Sequence, residues 1–392
     1  MKNNSNFKDP NHWLNRGIEN IYPNKEELIK FLEAGNKLNI YFGIDPTGPD
    51  LHIGHGTVLI KLKELQAEGH QIIVLIGDFT AMIGDPTGKK SARQKLEPKE
   101  VKANYKDFKV QIGKILDLNK INFVFNRQWL AKLKLEDILN ISSQFTVSQM
   151  LERDMFQDRI KNNEPIYLHE FMYPLMQGYD SVSLPINAEI GGTDQTFNML
   201  MGRTMLKKLN REKFVITTKL LVDPTGKKMG KSEGNMITLS DEPSLMYGKV
   251  MSWSDDMMLL GFEICTKVDL NEIKQKIKDN PRDTKMYLAK SVVTNFIGEK
   301  EAKEAEVDFI KKFHTKEIPD DLLIIKIKSV KRLDEILLKQ NLVKSKSDFK
   351  RLILGQSLTL LPSQNKITDP NLLIKETITI KIGKKRFVKI KI

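Results

Sequence analysis

Two short stretches carry the side chains best suited to handling a polyphosphate. The first is His52-Ile53-Gly54-His55, where an apolar run has passed through a Pro/Gly turn and a helical stripe begins. A helix N-terminus offers free N–H groups and the positive end of its dipole, which suits phosphate. Gly54 lets a nucleotide approach the backbone where a Cβ would collide, and two imidazoles can donate to phosphate oxygens as charge builds during a displacement. The second is Lys228-Met229-Gly230-Lys231-Ser232, which sets two lysines three residues apart on a Gly-flanked loop. Such a loop can close over a triphosphate and neutralise it.

The elements around these stretches define their placement. Residues 13 to 35 read as a helical lead-in, and Asn39 to Asp45 as a buried strand. From Gly54 to Glu68, Val58, Leu59, Leu62 and Leu65 form a helical stripe closed by Gly69, and Gln71 to Gly77 is a second apolar strand. Strand, turn, helix and strand make one βαβ unit of a parallel sheet. Glu97-Pro98 opens a helix with Val101, Tyr105, Phe108, Ile112 and Leu116 on one face; Ile121 to Phe125 and Phe214 to Leu221 are further strands. Residues 240 to 315 have helical periodicity with Asp269 and Asp283 as N-caps, and Ile318-Pro319-Asp320 is a linker. The expected fold is α/β: a parallel-sheet catalytic domain over 1–238 with an insertion at roughly 120–170, a helical domain over 239–325, and a small α+β domain over 326–392.

Composition narrows the partners. At 392 residues, 40% of them hydrophobic, the chain can bury more than one core. No stretch approaches the ~18 apolar residues of a membrane span, and the polar start from Met1 to Asp9 does not read as a secretory signal. The single cysteine, Cys265, offers neither an internal disulfide nor a zinc motif, so a cytoplasmic location is expected. The net charge is +13, and from Lys331 onward 15 basic residues face 5 acidic ones, whereas the preceding 330 residues hold 48 against 45. That concentration suits a module that meets a polyanion. Ser329–Lys339 and Ser347–Leu354 read as short amphipathic helices that turn Leu333, Ile336, Leu337, Phe349, Leu352 and Ile353 inward. They leave Lys331, Arg332, Lys344, Lys346, Lys350 and Arg351 outward, and Ser357–Leu361 and Ile378–Ile382 follow as strands.

Taken together, the early His-Ile-Gly-His and the late Lys-Met-Gly-Lys-Ser resemble the paired signatures of class I aminoacyl-tRNA synthetases. Four further blocks resemble the bacterial-type tyrosyl-tRNA synthetases: Tyr41-Phe42-Gly43-Ile44-Asp45-Pro46-Thr47, Ile83 to Ser91, Tyr173 to Asp180, and Gly191 to Gln195. The resemblance implies a Rossmann-type catalytic domain that activates tyrosine with ATP and transfers it to the terminal adenosine of its tRNA. It implies that Tyr41 and Asp180 hydrogen-bond the substrate phenol. Asp85, Tyr173 and Gln177 would bind its ammonium, Gln195 would lie at the carboxylate side, and Gly192 and Asp194 would contact ATP and its ribose. Asn126 and Trp129 match positions near the tyrosine pocket. Thr47, His52, His55, Lys228 and Lys231, with Lys89 and Arg93 as lesser candidates, would stabilise the departing pyrophosphate. Magnesium would accompany ATP rather than occupy a protein-built cage. The terminal module resembles a small RNA-binding fold shared with a ribosomal protein, so Lys331, Arg332, Lys346, Lys350 and Arg351 would contact tRNA. A homodimer is also implied, with the segment before Tyr173 near its interface. The sequence departs from the pattern at Gly230, where the commonest loop has Ser, and at Thr196-Phe197, where many tyrosyl members carry Trp-Gly.

Three other readings are open to such a chain. A nucleotidyltransferase with a His-x-Gly-His helix needs neither the lysine loop nor the basic module. A decayed RNA-binding paralogue would not keep the histidines, lysines, Asp85 and Asp180. A tryptophan-specific relative fits Tyr41, Asp180 and the terminal module poorly.

Overall fold

The computed structural model describes residues 7, 9, 12–87, 96–222, 236–313, 323–327, 329–340, 342–361, 365–383 and 386–391. The chain forms two compact units, Met1–Phe309 and Ile310–Ile392.

In the first unit, β1 (Ile18–Tyr22), β2 (Asn39–Ile44), β3 (Gln71–Ile76), β4 (Ile121–Phe125), β5 (Ala188–Gly192) and β6 (Phe214–Thr218) form one sheet. Their order is β1-β6-β5-β2-β3-β4. Strands β2 to β6 are mutually parallel, and β1 lies antiparallel along β6. From β2 the chain passes through the Ile53–Ala67 helix to β3, and then on to β4 at one edge, whereas β5 and β6 lie on the opposite side of β2. The strand order therefore reverses at the β2/β5 seam. Crossovers leaving in opposite directions open a crevice at the carboxyl ends of such strands. Tyr41 on β2 and Gly192 at the end of β5 border that seam.

The local readings needed four revisions. One is in the second unit, where the helix expected from Ser329 begins only at Leu333 because Lys331–Arg332 is a strand paired with Leu373–Ile374. Residues 13–35 are not one helical lead-in: Trp13 and Leu14 are buried, Ile18–Tyr22 is a strand, and only Lys25–Glu33, capped by Asn24, is helical. Strand β1 exists because β6 offers it an edge partner, which a local pattern does not reveal. The stretch from Glu97 is two helices, Pro98–Asn104 and Phe108–Gly113, separated by a tight turn in which the Phe108 N–H donates to the Tyr105 carbonyl. Asp269 caps its helix as expected, but the Pro281–Phe296 helix is capped by Asn280, with Asp283 in its first turn accepting from the Asn280 amide. Proline takes the first helical position, so the cap falls at Asn280, three residues before Asp283.

Helices Leu168–Ser183 and Thr196–Lys208 pack on each other beside the sheet. The first of these is tied to the Asp154–Lys161 helix by a buried two-pronged ion pair from Arg159 to Glu170, at 2.8 and 2.6 Å. Removing one partner of such a pair strands a charge, so the two helices are coupled through it. The helices from Pro243 to Phe309 share their apolar core with the sheet, since Met246, Phe262 and Phe296 cluster with Ile40, Leu59 and Val74.

The second unit has its own core. Strands β7 (Leu323–Lys326), β9 (Leu358–Leu361), β11 (Ile378–Ile382) and β12 (Arg386–Lys391) form a sheet ordered β7-β12-β11-β9, while β8 (Lys331–Arg332) pairs with β10 (Leu373–Ile374). Helices Leu333–Lys339 and Lys346–Leu354 turn Leu333, Ile336, Leu337, Phe349 and Ile353 inward.

The ends of β2 and β3 meet at Gly77, where a Cβ would lie 1.9 Å from Asp45 Oδ1 and 2.4 Å from Thr80 Oγ1. Gly77→Ala should therefore push Asp45 out of place and lower stability by about 1–3 kcal/mol in urea unfolding. An unchanged midpoint would show that this approach is not tight.

Candidate active site

At the mouth of the Ile53–Ala67 helix, His52 is the N-cap residue, and its Nδ1 accepts from the Gly54 N–H at 3.1 Å. His55 Nδ1 in turn accepts from the His52 N–H at 3.2 Å, and the two rings lie 3.9 Å apart. Each Nδ1 is thus an acceptor, so a neutral ring carries its proton on Nε2. Burial, aided by the His52 charge, holds His55 well below the ordinary histidine range. His55 therefore resists taking up a second proton and is suited to donate through Nε2. At Gly54 the nearest neighbour of an added Cβ is the His52 ring, at 3.0 Å, so one role of the glycine is to admit that ring. Lys228 and Lys231, like Lys89 and Arg93, lie outside the described residues. The chain re-enters beyond Lys228 and Lys231 at Met236, and the next residues bond directly to the histidine stretch. Ile53 N–H donates to the Ile237 carbonyl, Leu239 N–H donates to the Leu51 carbonyl, and Thr238 bridges His52. Thr47 is exposed on the turn after β2, its N–H bonded to the Asp45 carbonyl.

Across the β2/β5 seam lies a second, buried polar cluster. Tyr41, paired with Glu189 of β5, is only 1% exposed, and Asp180 on the Leu168–Ser183 helix is 2% exposed. Asp180 accepts from Trp129 Nε1 at 2.7 Å and from Asn126 Nδ2 at 3.2 Å. The structure thus brings Asn126 and Trp129 to the same carboxylate. Burial raises the Asp180 carboxyl well above the ordinary range, while these two donors pull it back and the Asp45 and Glu189 charges raise it further. Tyr41 Oη lies 2.9 Å from Ser181 Oγ. Ser181 also accepts from the buried Lys213 ammonium at 2.7 Å, and Lys213 pairs with Glu189. An ammonium can only donate, so Ser181 is left able to donate to Tyr41 Oη, while the Tyr41 O–H faces the Glu189 carboxylate. Burial, followed by the Glu189 and Asp180 charges, raises the Tyr41 phenol well above 10, so it stays protonated.

Beside this slot, Tyr173 Oη donates to Asp45 Oδ2 at 2.9 Å, and Thr80 Oγ1 donates to Asp45 Oδ1 at 2.6 Å. Gln177 Nε2 points to Glu189 Oε1 at 3.4 Å, which leaves the buried Gln177 Oε1 without a partner. An orphaned, buried acceptor beside several carboxylates suits an ammonium. Asp85 accepts from the Thr87 N–H and hydroxyl through Oδ1 and from Gln195 Nε2 through Oδ2, at 2.8 Å for the last. Gln195 Nε2 also lies 3.3 Å from Asp194 Oδ2, and its Oε1 accepts from Asn198. Gly192 ends β5, immediately before the turn that carries Asp194 and Gln195.

Sequence reasoning did not assign Asp45, Ser181, Glu189, Lys213 or Arg153. Two carried a usable signal: Glu189 lies within the apolar run Ala188–Ile190, and Lys213 immediately precedes the apolar start of β6. Charges so placed must be paired when buried. In the second unit Lys331, Lys346, Lys350 and Arg351 are exposed, and Arg332 grips the buried Asp334 at 3.0 and 3.1 Å. Among the described residues no cluster of three or more His, Cys, Asp or Glu could hold a metal, and no helix is long and apolar enough to cross a membrane.

A parallel sheet with a histidine-capped helix and a buried polar slot at its switch point defines a Rossmann-type α/β domain built for a nucleotide and a small polar ligand. The model of the family "tRNA synthetases class I (W and Y)" matches residues 33–314, and the chain belongs to that family. The tyrosine–tRNA ligase of Carboxydothermus hydrogenoformans is 45% identical over 397 residues, covering 96% of each chain. That of Aquifex aeolicus is 40% identical over 93% of this chain and 94% of its own. Among solved structures, a C-terminally truncated mitochondrial tyrosyl-tRNA synthetase of Aspergillus nidulans superposes with a TM-score of 0.64 at 23% identity, covering 77% of this chain and 93% of its own. The Archaeoglobus fulgidus tyrosyl-tRNA synthetase complexed with L-tyrosine has a TM-score of 0.59 at 21% identity, covering 76% and 99%. These likenesses establish the fold.

The folded chain holds the Asp180 proton more tightly than the unfolded chain does. Its contribution to stability is therefore greatest below the ordinary carboxyl pKa, and falls as pH rises from there toward the raised folded value. Asp180→Asn should flatten that part of the stability–pH curve in urea unfolding. A slope identical to the parent's would mean that Asp180 is not held in its protonated form.

Proposed function

We propose that this chain activates L-tyrosine with ATP and transfers it to the terminal adenosine of the matching tRNA. The observation that carries the amino-acid choice is the polar end of the buried slot, where the Tyr41 hydroxyl and the Asp180 carboxyl await a ring bearing its own hydroxyl. A site with buried groups built for a substrate hydroxyl rejects the analogue lacking it by roughly 10⁴–10⁵ without editing, tyrosine against phenylalanine being the standard example of the effect. Asp85, Tyr173 and the unpartnered Gln177 Oε1 suit the ammonium, and Asp194 with Gly192 suits the ATP ribose.

In the first step one oxygen of the tyrosine carboxylate attacks the α-phosphorus of ATP in line. The bond to the β-phosphate bridging oxygen breaks, and tyrosyl-adenylate and pyrophosphate result. No side chain becomes a covalent nucleophile; rate comes from positioning and from stabilising charge on the leaving pyrophosphate. His52 and His55 would donate through Nε2, with Thr47, Lys228 and Lys231 adding donors and charge, and Gly54 keeps His52 in its capping position. Magnesium enters with ATP as its counter-ion. In the second step a ribose hydroxyl of the tRNA attacks the adenylate carbonyl, AMP departs, and the hydroxyl proton is lost. Lys331, Arg332, Lys346, Lys350 and Arg351 of the terminal unit would hold the tRNA backbone, with Arg332 partly committed to Asp334. A division into a catalytic domain to about residue 238, a helical domain to about 325 and the basic module beyond fits these roles. The reaction suits the cytoplasm, where its substrates are made.

A second copy of the chain is the partner proposed for the insertion before Tyr173. There Leu135, Leu139, Val147, Ile160 and Leu168 are all exposed, Leu168 by 81%, a density of bare apolar side chains that marks an interface.

Pyrophosphate exchange in the presence of ATP and magnesium should respond to tyrosine and not to phenylalanine or tryptophan. No exchange with tyrosine would remove the activation step. Replacing Lys346, Lys350 and Arg351 together by Ala should leave exchange intact, weaken charging, and reduce the salt slope of tRNA binding by about 2–3. Leu139→Asp with Leu168→Asp should yield monomers in sedimentation analysis, and an undisturbed dimer would place the interface elsewhere.

A further inference from the structure

The ammonium of a tyrosine bound there has several acceptors, yet among the described residues assigned to the site its carboxylate lacks an evident donor. Gln195, the residue expected there, spends its amide N–H groups on Asp85 and Asp194 and its oxygen on Asn198. The Leu168–Ser183 helix supplies acceptors rather than cations. One cation does reach the cluster from the insertion. Arg153, immediately before the Asp154–Lys161 helix, is 8% exposed. Its Nη2 donates to Thr87 Oγ1 at 2.6 Å, and that hydroxyl donates to Asp85 Oδ1 at 2.6 Å. Its guanidinium lies over the Phe197 ring at 4.8 Å and near the Phe156 ring at 5.7 Å. Its Nη1 is buried with no hydrogen-bond partner.

A buried guanidinium N–H without an acceptor is costly and calls for a ligand. The groups that face Arg153 electrostatically are Asp85, Tyr173 and Glu170, and the first two belong to the ammonium end of the slot. Glu170 is already spent on Arg159. The vacant donor on Arg153 and the vacant acceptor on Gln177 are thus opposite in polarity and border one cluster. A zwitterionic amino acid is the ligand that satisfies both.

We propose that Arg153 is the residue that binds the α-carboxylate of the substrate amino acid, donating through Nη1 while Phe197 supports the guanidinium face. This rests on the amino-acid-activating reading above and deepens it. It also gives the Thr196-Phe197 departure a physical role. A glycine at 197 has no ring to stack on, whereas phenylalanine provides a flat apolar surface that fixes the guanidinium plane. Holding the carboxylate orients one oxygen toward the α-phosphorus, and the same N–H can follow that group into the adenylate carbonyl.

The test compares two ligands on the full-length protein: L-tyrosine, and tyramine, which lacks only the carboxylate. Dissociation constants are measured by calorimetry, with tyramine read by displacement. Arg153→Gln should weaken tyrosine by about 10- to 100-fold, the range for a lost hydrogen bond between charged groups, and leave tyramine within about twofold. Arg153→Lys should recover part of the tyrosine affinity, and Phe197→Gly should reproduce part of the loss. Equal weakening of both ligands would overturn the proposal, because Arg153 would then act by positioning Asp85 through Thr87. Unchanged tyrosine binding in a folded Arg153→Gln protein would overturn it as well. If Arg153→Gln does not fold, the Arg153→Lys and Phe197→Gly ratios decide on the same criterion. A parent protein that binds neither ligand removes the tyrosine reading itself, a distinct failure.

Discussion

The site depends on keeping charged and hydroxyl-bearing side chains dry at the carboxyl edge of a parallel sheet. Asp180, Glu189 and Lys213 are almost wholly buried, and Asp45 lies partly so beside them. Each would be intolerable there alone, because an isolated charge in a low-dielectric setting costs far more than one contact returns. They persist because each is answered: Asp180 by Trp129 and Asn126, Glu189 by Lys213, and Asp45 by Thr80 and Tyr173. The rest of the architecture supplies the partners. Strands β2 and β5 bring Tyr41 and Glu189 side by side, β6 is preceded by Lys213, and the Leu168–Ser183 helix presents Asp180 and Ser181 to the seam.

That arrangement separates the two halves of the chemistry. Around Tyr41 and Asp180 the network is largely paired, and the buried Gln177 Oε1 is left without a partner, so in the proposed reading selectivity arises from contacts that the substrate completes. At the helix mouth the reverse holds. The two imidazoles accept from backbone N–H groups through Nδ1, which leaves Nε2 of each able to donate to a ligand. A preorganised donor of this kind needs no rearrangement when the charge appears. The insertion, clamped by Arg159 and Glu170, fixes the third element of the site by delivering Arg153 from outside the sheet.

Much of the sheet was legible in the sequence, because β2, β3 and β4 are continuous apolar runs and the helix between β2 and β3 repeats its apolar residues at helical spacing. The terminal unit was legible for the same reason: Leu333, Ile336, Leu337, Phe349 and Ile353 keep helical periodicity and form its core. Strand β1 was not, since its pairing along β6 spans nearly two hundred residues, and neither was the break at Tyr105, where a tight turn interrupts an unbroken apolar stripe.

The sequence by itself determined the candidates for chemistry: the histidine pair at a helix start, the lysine pair late in the chain, and the blocks holding Tyr41, Asp85, Tyr173, Gln177 and Asp180. Side-chain identity and short-range spacing are local properties, and a single chain displays them directly. Only the tertiary structure decided how those groups are wired. That burial disfavours the charged form of His55, that Gln195 is committed to its neighbours, and that Lys213 answers Glu189 beneath Tyr41 all depend on burial and on partners far away in the chain. Burial sets protonation and distance sets pairing, and neither is written in the order of residues.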